Sequence, residues 1–186
     1  MFAYCLNNPV KYGDHRGTDA VVLYDEDNAG HIGIMVQDED GTWWHFYWGP
    51  KSGKGFGFRV FISFFFVNVE SESWCVEFSG DASSLDSINA ANQYAGDYEA
   101  LHYFDGDFCD AVDSMNNISE KYNLQGNNCS QVSLRILATA NKHYYDLFIE
   151  AARYTRPRKA SEYIIDNRSA YDRNDMIVPP RNTAKV

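Results

Sequence analysis

Cys129 and two early histidines, His31 and His45, are the residues whose types and spacing suit acyl chemistry. Cys129 follows Asn127 and Asn128 and opens a segment in which Cys129, Val132, Ile136, Leu137 and Ala140 recur on one helical face. Either asparagine is a natural N-cap, because a short amide accepts from the exposed N–H groups of a first helical turn. A cysteine in that turn sees the positive end of the macrodipole, which favours the thiolate and lowers its pKa. A buried helix cysteine facing the core gives the same pattern, so a base has to separate the two. Of His15, His31, His45, His102 and His143, the second and third are fourteen residues apart, on what read as paired strands. Antiparallel pairing would bring base and orienter around one thiol on a helix packed against that sheet. His102 competes less well for the base role. A His31/His45/Cys129 zinc site has no obvious fourth ligand, and neither metal nor cofactor is expected.

Those side chains need a sheet and a helix to hold them. A strand pattern begins near Ala20. The runs His31 to Gln37 and Thr42 to Trp48 flank Asp38-Glu39-Asp40-Gly41, the spacing of a two-stranded hairpin. Gly49 to Gly57 reads as a loop, and residues 58–69 and 73–78, rich in Phe and Val, supply two more strand candidates. From Ser83 the period changes: Leu85, Ile88, Ala91 and Ala95 fit one helix, and Phe108, Val112, Met115 and Ile118 another. A further helix is expected around Tyr144 to Tyr154, stopping before Pro157. The polar tail after Arg168, with Pro179-Pro180, is expected to be partly disordered. Strands first and helices second predict the α+β class, an antiparallel sheet packed against a helix that begins at the cysteine.

With 186 residues, 45% of them hydrophobic and 16% aromatic, the chain suits one domain with a substantial core. A net charge of -10 argues against a large phosphate-binding surface, so nucleic acid is disfavoured. The charge is uneven: residues 151–186 carry eight Lys/Arg against four Asp/Glu. That basic end is expected to lie across the acidic body, with a membrane or partner contact as the alternative. The most apolar stretch, Val60 to Val69, contains Ser63 and Asn68 and falls short of the ~20 residues needed to cross a bilayer. The start has no basic segment followed by an apolar core, so no secretory signal is expected there. Cys5, Cys75, Cys109 and Cys129 form no C-x-x-C pair, which points away from a zinc knuckle or a dense disulfide framework.

The pairing of residues 30–50, with His31 and His45, and the later Tyr122-to-Cys129 run Tyr-Asn-Leu-Gln-Gly-Asn-Asn-Cys resembles the circularly permuted branch of the papain-like superfamily. That branch includes the NlpC-type peptidases and the relatives of lecithin:retinol acyltransferase. The resemblance covers about residues 20 to 142. It implies a permuted papain-like fold with His31 as general base, His45 as the orienting third member and Cys129 as nucleophile, with Tyr122 and Asn128 in supporting positions. Ser130-Gln131-Val132 differ from the Glu-His-Phe of the acyltransferase branch.

The first seventeen residues are similar to the closing motif of RHS-repeat core regions. Tyr4, Asn7, Asn8, Pro9, Val10, Tyr12, Asp14 and Gly17 match in order, and His15 stands where the motif has proline. This resemblance implies the toxic C-terminal effector of a bacterial polymorphic toxin, secreted or contact-delivered within a larger protein and acting inside a target cell or its envelope. The expected organisation is residues 1–17 as a remnant of the core motif, 18–156 as the catalytic domain and 157–186 as a basic tail. Expected partners are a target-cell protein, peptide or amide substrate and a cognate immunity protein. The leading expectation is a cysteine-dependent hydrolase or transferase: a protease, amidase, deamidase or transamidase. The alternatives are a non-catalytic adaptor that binds through the aromatic run Trp43 to Trp48, or a lipid acyltransferase that uses the basic tail.

Overall fold

The β-branched and aromatic runs become strands, and the 3.6-period segments become helices, in a computed structural model that describes residues 18–26, 30–51, 70–91 and 97–171. The strands are β1 (Ala20–Asp25), β2 (His31–Gln37), β3 (Trp43–Pro50), β4 (Ser71–Phe78) and β5 (Ala100–Phe104). The helices are α1 (Leu85–Ala91), α2 (Asp110–Asn116), α3 (Cys129–Ala140), α4 (Tyr145–Ala151) and α5 (Pro157–Asn167), followed by a 3-10 turn at Arg168–Ala170. The strands form one antiparallel sheet in the order β4-β3-β2-β1-β5. The class is α+β.

Side-chain alternation divides the sheet into two packed faces. Ala20, Val22, Ile32, Ile34, Val36, Phe46, Trp48 and Phe104 point toward α2, α3, α4 and α5 and form the larger core. Val21, Leu23, Met35 and Phe78 point the other way, under Ala82, Ile88 of α1 and Tyr98. The β2–β3 turn is fixed by Asp38, whose carboxylate accepts from the Asp40 and Thr42 N–H groups and from Trp44 Nε1 at 2.8–3.0 Å. Gly41 there has φ +85°, a conformation that glycine adopts without strain.

Two expectations change. β5 falls after the first helix and pairs with β1 at the sheet edge, so strands and helices are not fully segregated along the chain. Residues 157–171, placed in a basic tail by their charge, are instead helical and packed. Pro157, Ala160, Ser161 and Ile164 are buried along one stripe of α5, while Arg158, Lys159 and Glu162 pair on its outer face. Proline costs nothing at the first helical position, where its missing N–H would have had no partner. The domain therefore runs past residue 156. The closing-motif remnant at residues 1–17, most of the Gly49-to-Gly57 loop, the strand candidate at 58–69 and the chain beyond Tyr171 lie outside the described residues.

Candidate active site

The β2–β3 ladder runs from Gln37↔Trp43 to Ile34↔Phe46, whereas β3 continues to pair with β4 as far as Pro50↔Ser71. Among the described residues, the first three residues of β2 and the last four of β3 are therefore unpaired with each other, and the sheet opens between them. Helix α3 enters that opening. Cys129 and Ser133, one turn apart and on the same face, occupy the main-chain groups of Ile32 that β3 leaves. The Ile32 N–H lies against Cys129 Sγ, and Ser133 Oγ donates to the Ile32 carbonyl at 3.5 Å. The sulfur thus sits one residue along the strand from His31.

Asn128 sets the start of α3. Its side-chain oxygen accepts from the Gln131 N–H at 3.1 Å and from Ser130 Oγ at 2.7 Å, while Gln131 Oε1 accepts from the Asn128 N–H at 3.2 Å, completing a capping box. Its amide nitrogen donates to the Leu124 and Thr155 carbonyls at 3.0 and 2.8 Å, tying the helix start to the α4–α5 turn. The N–H groups of Cys129 and Ser130 join that of Ile32 around Sγ. Three donors of this kind stabilise negative charge, either on the sulfur or on an oxygen bonded to the carbon it attacks.

Burial outweighs those donors in the resting protein. Cys129 is 3% exposed. Removal from water pushes its thiol up to about 11, helped by the nearby Asp25 carboxylate and opposed by the three N–H groups. The helix-terminus effect expected from the sequence is present but is the smaller one. His31 has a partly exposed edge, yet its Nε2 is buried and has no hydrogen-bond partner among the described residues, Cys129 Sγ included. Burial, and then the charge of His45, push His31 down to about 3. Both shifts disfavour the charged forms, the thiolate and the imidazolium, so thiol and imidazole rest neutral.

His45 is buried on the same sheet face as His31, opposite Met35 and Val76 in the ladders. Its Nε2 lies 3.0 Å from the Tyr98 hydroxyl oxygen, and burial pushes it down to about 4. Tyr122 is 6% exposed and stacks beside Trp48, with centroids 5.1 Å apart. Burial raises its phenol, and the charges of Cys129 and Tyr47 add to that shift. Cys129, Asn128 and Tyr122 thus belong to the α3 side of the sheet, whereas His31 and His45 share the opposite face with Met35 and Tyr98. His102 sits on β5, buried, with Nε2 3.0 Å from Ser161 Oγ of α5. Among the described residues, no group of three or more His, Cys, Asp or Glu side chains is arranged to hold a metal ion.

Several contributors carry no sequence signal of their own. The Ile32 N–H and Ser133 matter only because β3 parts from β2. Asp25 faces His31 across the β1–β2 ladder, a register that a hairpin pattern leaves open. Tyr98 comes from the segment before β5, far along the chain. No helix among the described residues is long and apolar enough to cross a membrane. No family model, curated protein or solved structure matches the chain.

Proposed function

We propose that the protein is a cysteine-dependent acyl hydrolase or transferase of permuted papain-like type, with Cys129 as nucleophile, His31 as general base and His45 as third member. One observation carries the proposal. A cysteine at the first position of a capped helix lies against three backbone N–H groups, one residue along a strand from a histidine whose buried Nε2 has no partner.

The chemistry follows from those atoms. As a substrate carbonyl enters the opening, Nε2 of His31 takes the Sγ proton while sulfur bonds to the carbonyl carbon. The developing oxyanion accepts from the helix-start N–H groups, and one such donor is worth about 3 kcal/mol. The tetrahedral adduct collapses, and the leaving amine or alcohol takes the proton back from His31, leaving a thioester on Cys129. Water then gives hydrolysis or deamidation, whereas an amine gives transamidation. Contacts between nucleophile and base are often long in free enzymes and tighten with substrate, so closure of Nε2 onto Sγ belongs to the complex. Because both groups rest neutral, proton transfer accompanies attack.

The biological setting we propose is that of the toxic C-terminal effector of an RHS-type toxin, restrained in its producer by an immunity protein. The ordered match of Tyr4, Asn7, Asn8, Pro9, Val10 and Tyr12 to the RHS closing motif supports it. Expression in a cell lacking that immunity protein tests both parts. Wild type should arrest growth, and Cys129→Ala and His31→Ala should each be harmless while keeping the wild-type circular dichroism spectrum. Full toxicity of either folded variant would exclude the assignment.

A second reading has its own support. A thiol 3% exposed and pushed up to about 11 also fits a core cysteine in a non-catalytic binding domain. That reading requires Cys129→Ala to leave function intact.

A further inference from the structure

We infer that Tyr98 is a positioning residue for the proposed reaction: its hydroxyl donates to Nε2 of His45 and fixes the tautomer through which His45 supports His31. The inference rests on reading Cys129 and His31 as the reacting pair.

Three independent features hold Tyr98 in place. Asn89 of α1 clamps its backbone from both sides, accepting from the Tyr98 N–H at 2.9 Å and donating to the Tyr98 carbonyl at 2.9 Å. The Tyr98 ring meets the His45 ring edge-on, with centroids 5.8 Å apart and planes at 71°. Directly beneath, β2 carries a glycine: a Cβ on Gly33 would lie 2.6 Å from the Tyr98 hydroxyl and 3.5 Å from His45 Nε2. Any other residue at 33 would displace the hydroxyl. Tyr98 and His45 are 5% and 4% exposed, so water does not substitute for the contact.

Acid–base chemistry sets the direction of the bond. A phenol O–H is a better donor than acceptor, and an unprotonated imidazole nitrogen is a good acceptor. Donation to Nε2 leaves the proton of neutral His45 on Nδ1, which becomes the nitrogen through which His45 addresses the rest of the site. Among the described residues, His45 is neighboured by His31, Gly33 and Met35 of β2, Val76 of β4, Trp43 and Tyr47 on its own strand, and Tyr98, and His31, Tyr47 and Tyr98 of this set titrate. A protonated His45 would oppose a proton on His31, since charge on His45 works against charge there. By holding Nε2 of His45 as an acceptor, Tyr98 keeps His45 neutral and His31 able to receive the Cys129 proton.

The test is nitrogen NMR of the histidine rings in the full chain, for wild type, Tyr98→Phe and Asn89→Ala. It is paired with the pH profile of Cys129 acetylation by p-nitrophenyl acetate. In wild type, His45 should hold its proton on Nδ1 with Nε2 bare near neutral pH. In Tyr98→Phe the other tautomer should appear, His45 should protonate roughly one pH unit higher, and the acid limb of the acetylation profile should move up with it. Asn89→Ala should give the same change in smaller measure, which keeps the test open if the phenylalanine variant folds poorly. An unchanged His45 tautomer and titration in both variants overturns the inference. A changed tautomer with an unchanged acetylation profile separates Tyr98 from the reaction and overturns its positioning role. Slow Cys129 acetylation in wild type, with the tautomer as assigned, instead strikes the catalytic reading.

Discussion

The imidazole of His31 lies flat on the ring of Tyr47, with centroids 4.4 Å apart and planes at 24°. The two residues stand on either side of the place where β2 and β3 part, so the stack spans that parting on the sheet face that carries Met35. Tyr47 is in turn packed on Trp74 of β4 at 4.7 Å. The proposed base is thereby held by ring packing rather than by a hydrogen bond at Nε2, which leaves that nitrogen for a proton. Replacing Tyr47 by Ala removes one ring face from His31. The expected result is loss of toxicity approaching that of His31→Ala, with Tyr47→Phe retaining it, because the phenylalanine ring preserves the stack.

Acid should unfold the domain early. His31, His45 and His102 are held well below the ordinary histidine value, at about 3, 4 and 4, chiefly by burial. The unfolded chain therefore binds more protons than the folded one from near pH 6.5 downward, and stability falls as pH drops toward the folded values. Each imidazole contributes on the order of 1 kcal/mol per pH unit across that window. Asp19 acts with the opposite sign. Burial raises it to about 6 against hydrogen bonds from Tyr103 and the Gly106 N–H, so between about pH 6 and 4 it takes back part of the loss. Urea midpoints measured from pH 7.5 to 5 should decline, and substituting His102 by Gln should flatten the decline.

Asn128 holds more than a helix start. Asn128→Ala removes the side-chain half of the capping box, the acceptor for the Gln131 N–H and Ser130 Oγ, together with the two bonds to Leu124 and Thr155, and should lower stability by about 2 kcal/mol in urea titration. Asn128→Asp keeps the acceptor for Gln131 and Ser130 but loses both amide donors. It also places a negative charge beside the thiol, so Cys129 should become still harder to deprotonate.

Asp25 acts on the sulfur in the same sense as that added charge. Its carboxylate adds to the elevation of the Cys129 pKa. Asp25→Asn should therefore bring the alkaline rise in iodoacetamide labelling of Cys129 to lower pH. A rise at the wild-type pH would mean that the carboxylate does not reach the thiol's field.

Local rules made the site's parts readable, and long-range pairing made the rest unreadable. Asn128 before Cys129 announced a capped helix because N-cap chemistry lies within four residues of sequence. The Asp38-to-Gly41 turn announced the hairpin carrying His31 and His45 for the same reason. The opening between β2 and β3 depends on where a ladder stops, which the alternation of either strand does not encode. β5 carries little sequence signal, because Ala-Leu-His-Tyr-Phe is short and lies between two helical stripes, and its partner β1 is about eighty residues away. The first turn of α5 was hidden by its own charges, Arg156, Arg158 and Lys159, which mask the buried stripe of Pro157, Ala160 and Ile164.

The pairing of Cys129 with His31 is the claim on which the rest depends, and the relative acetylation of two cysteines tests it directly. Cys109 and Cys129 are both pushed up to about 11, but Cys109 is the more exposed. Without a base, an acyl donor reaches Cys109 first. With p-nitrophenyl acetate at neutral pH and peptide mass spectrometry to locate the adduct, Cys129 should be acetylated at least tenfold faster than Cys109, and His31→Gln should abolish that lead. Acetylation of Cys129 no faster than Cys109, or a lead that survives His31→Gln, would contradict the account.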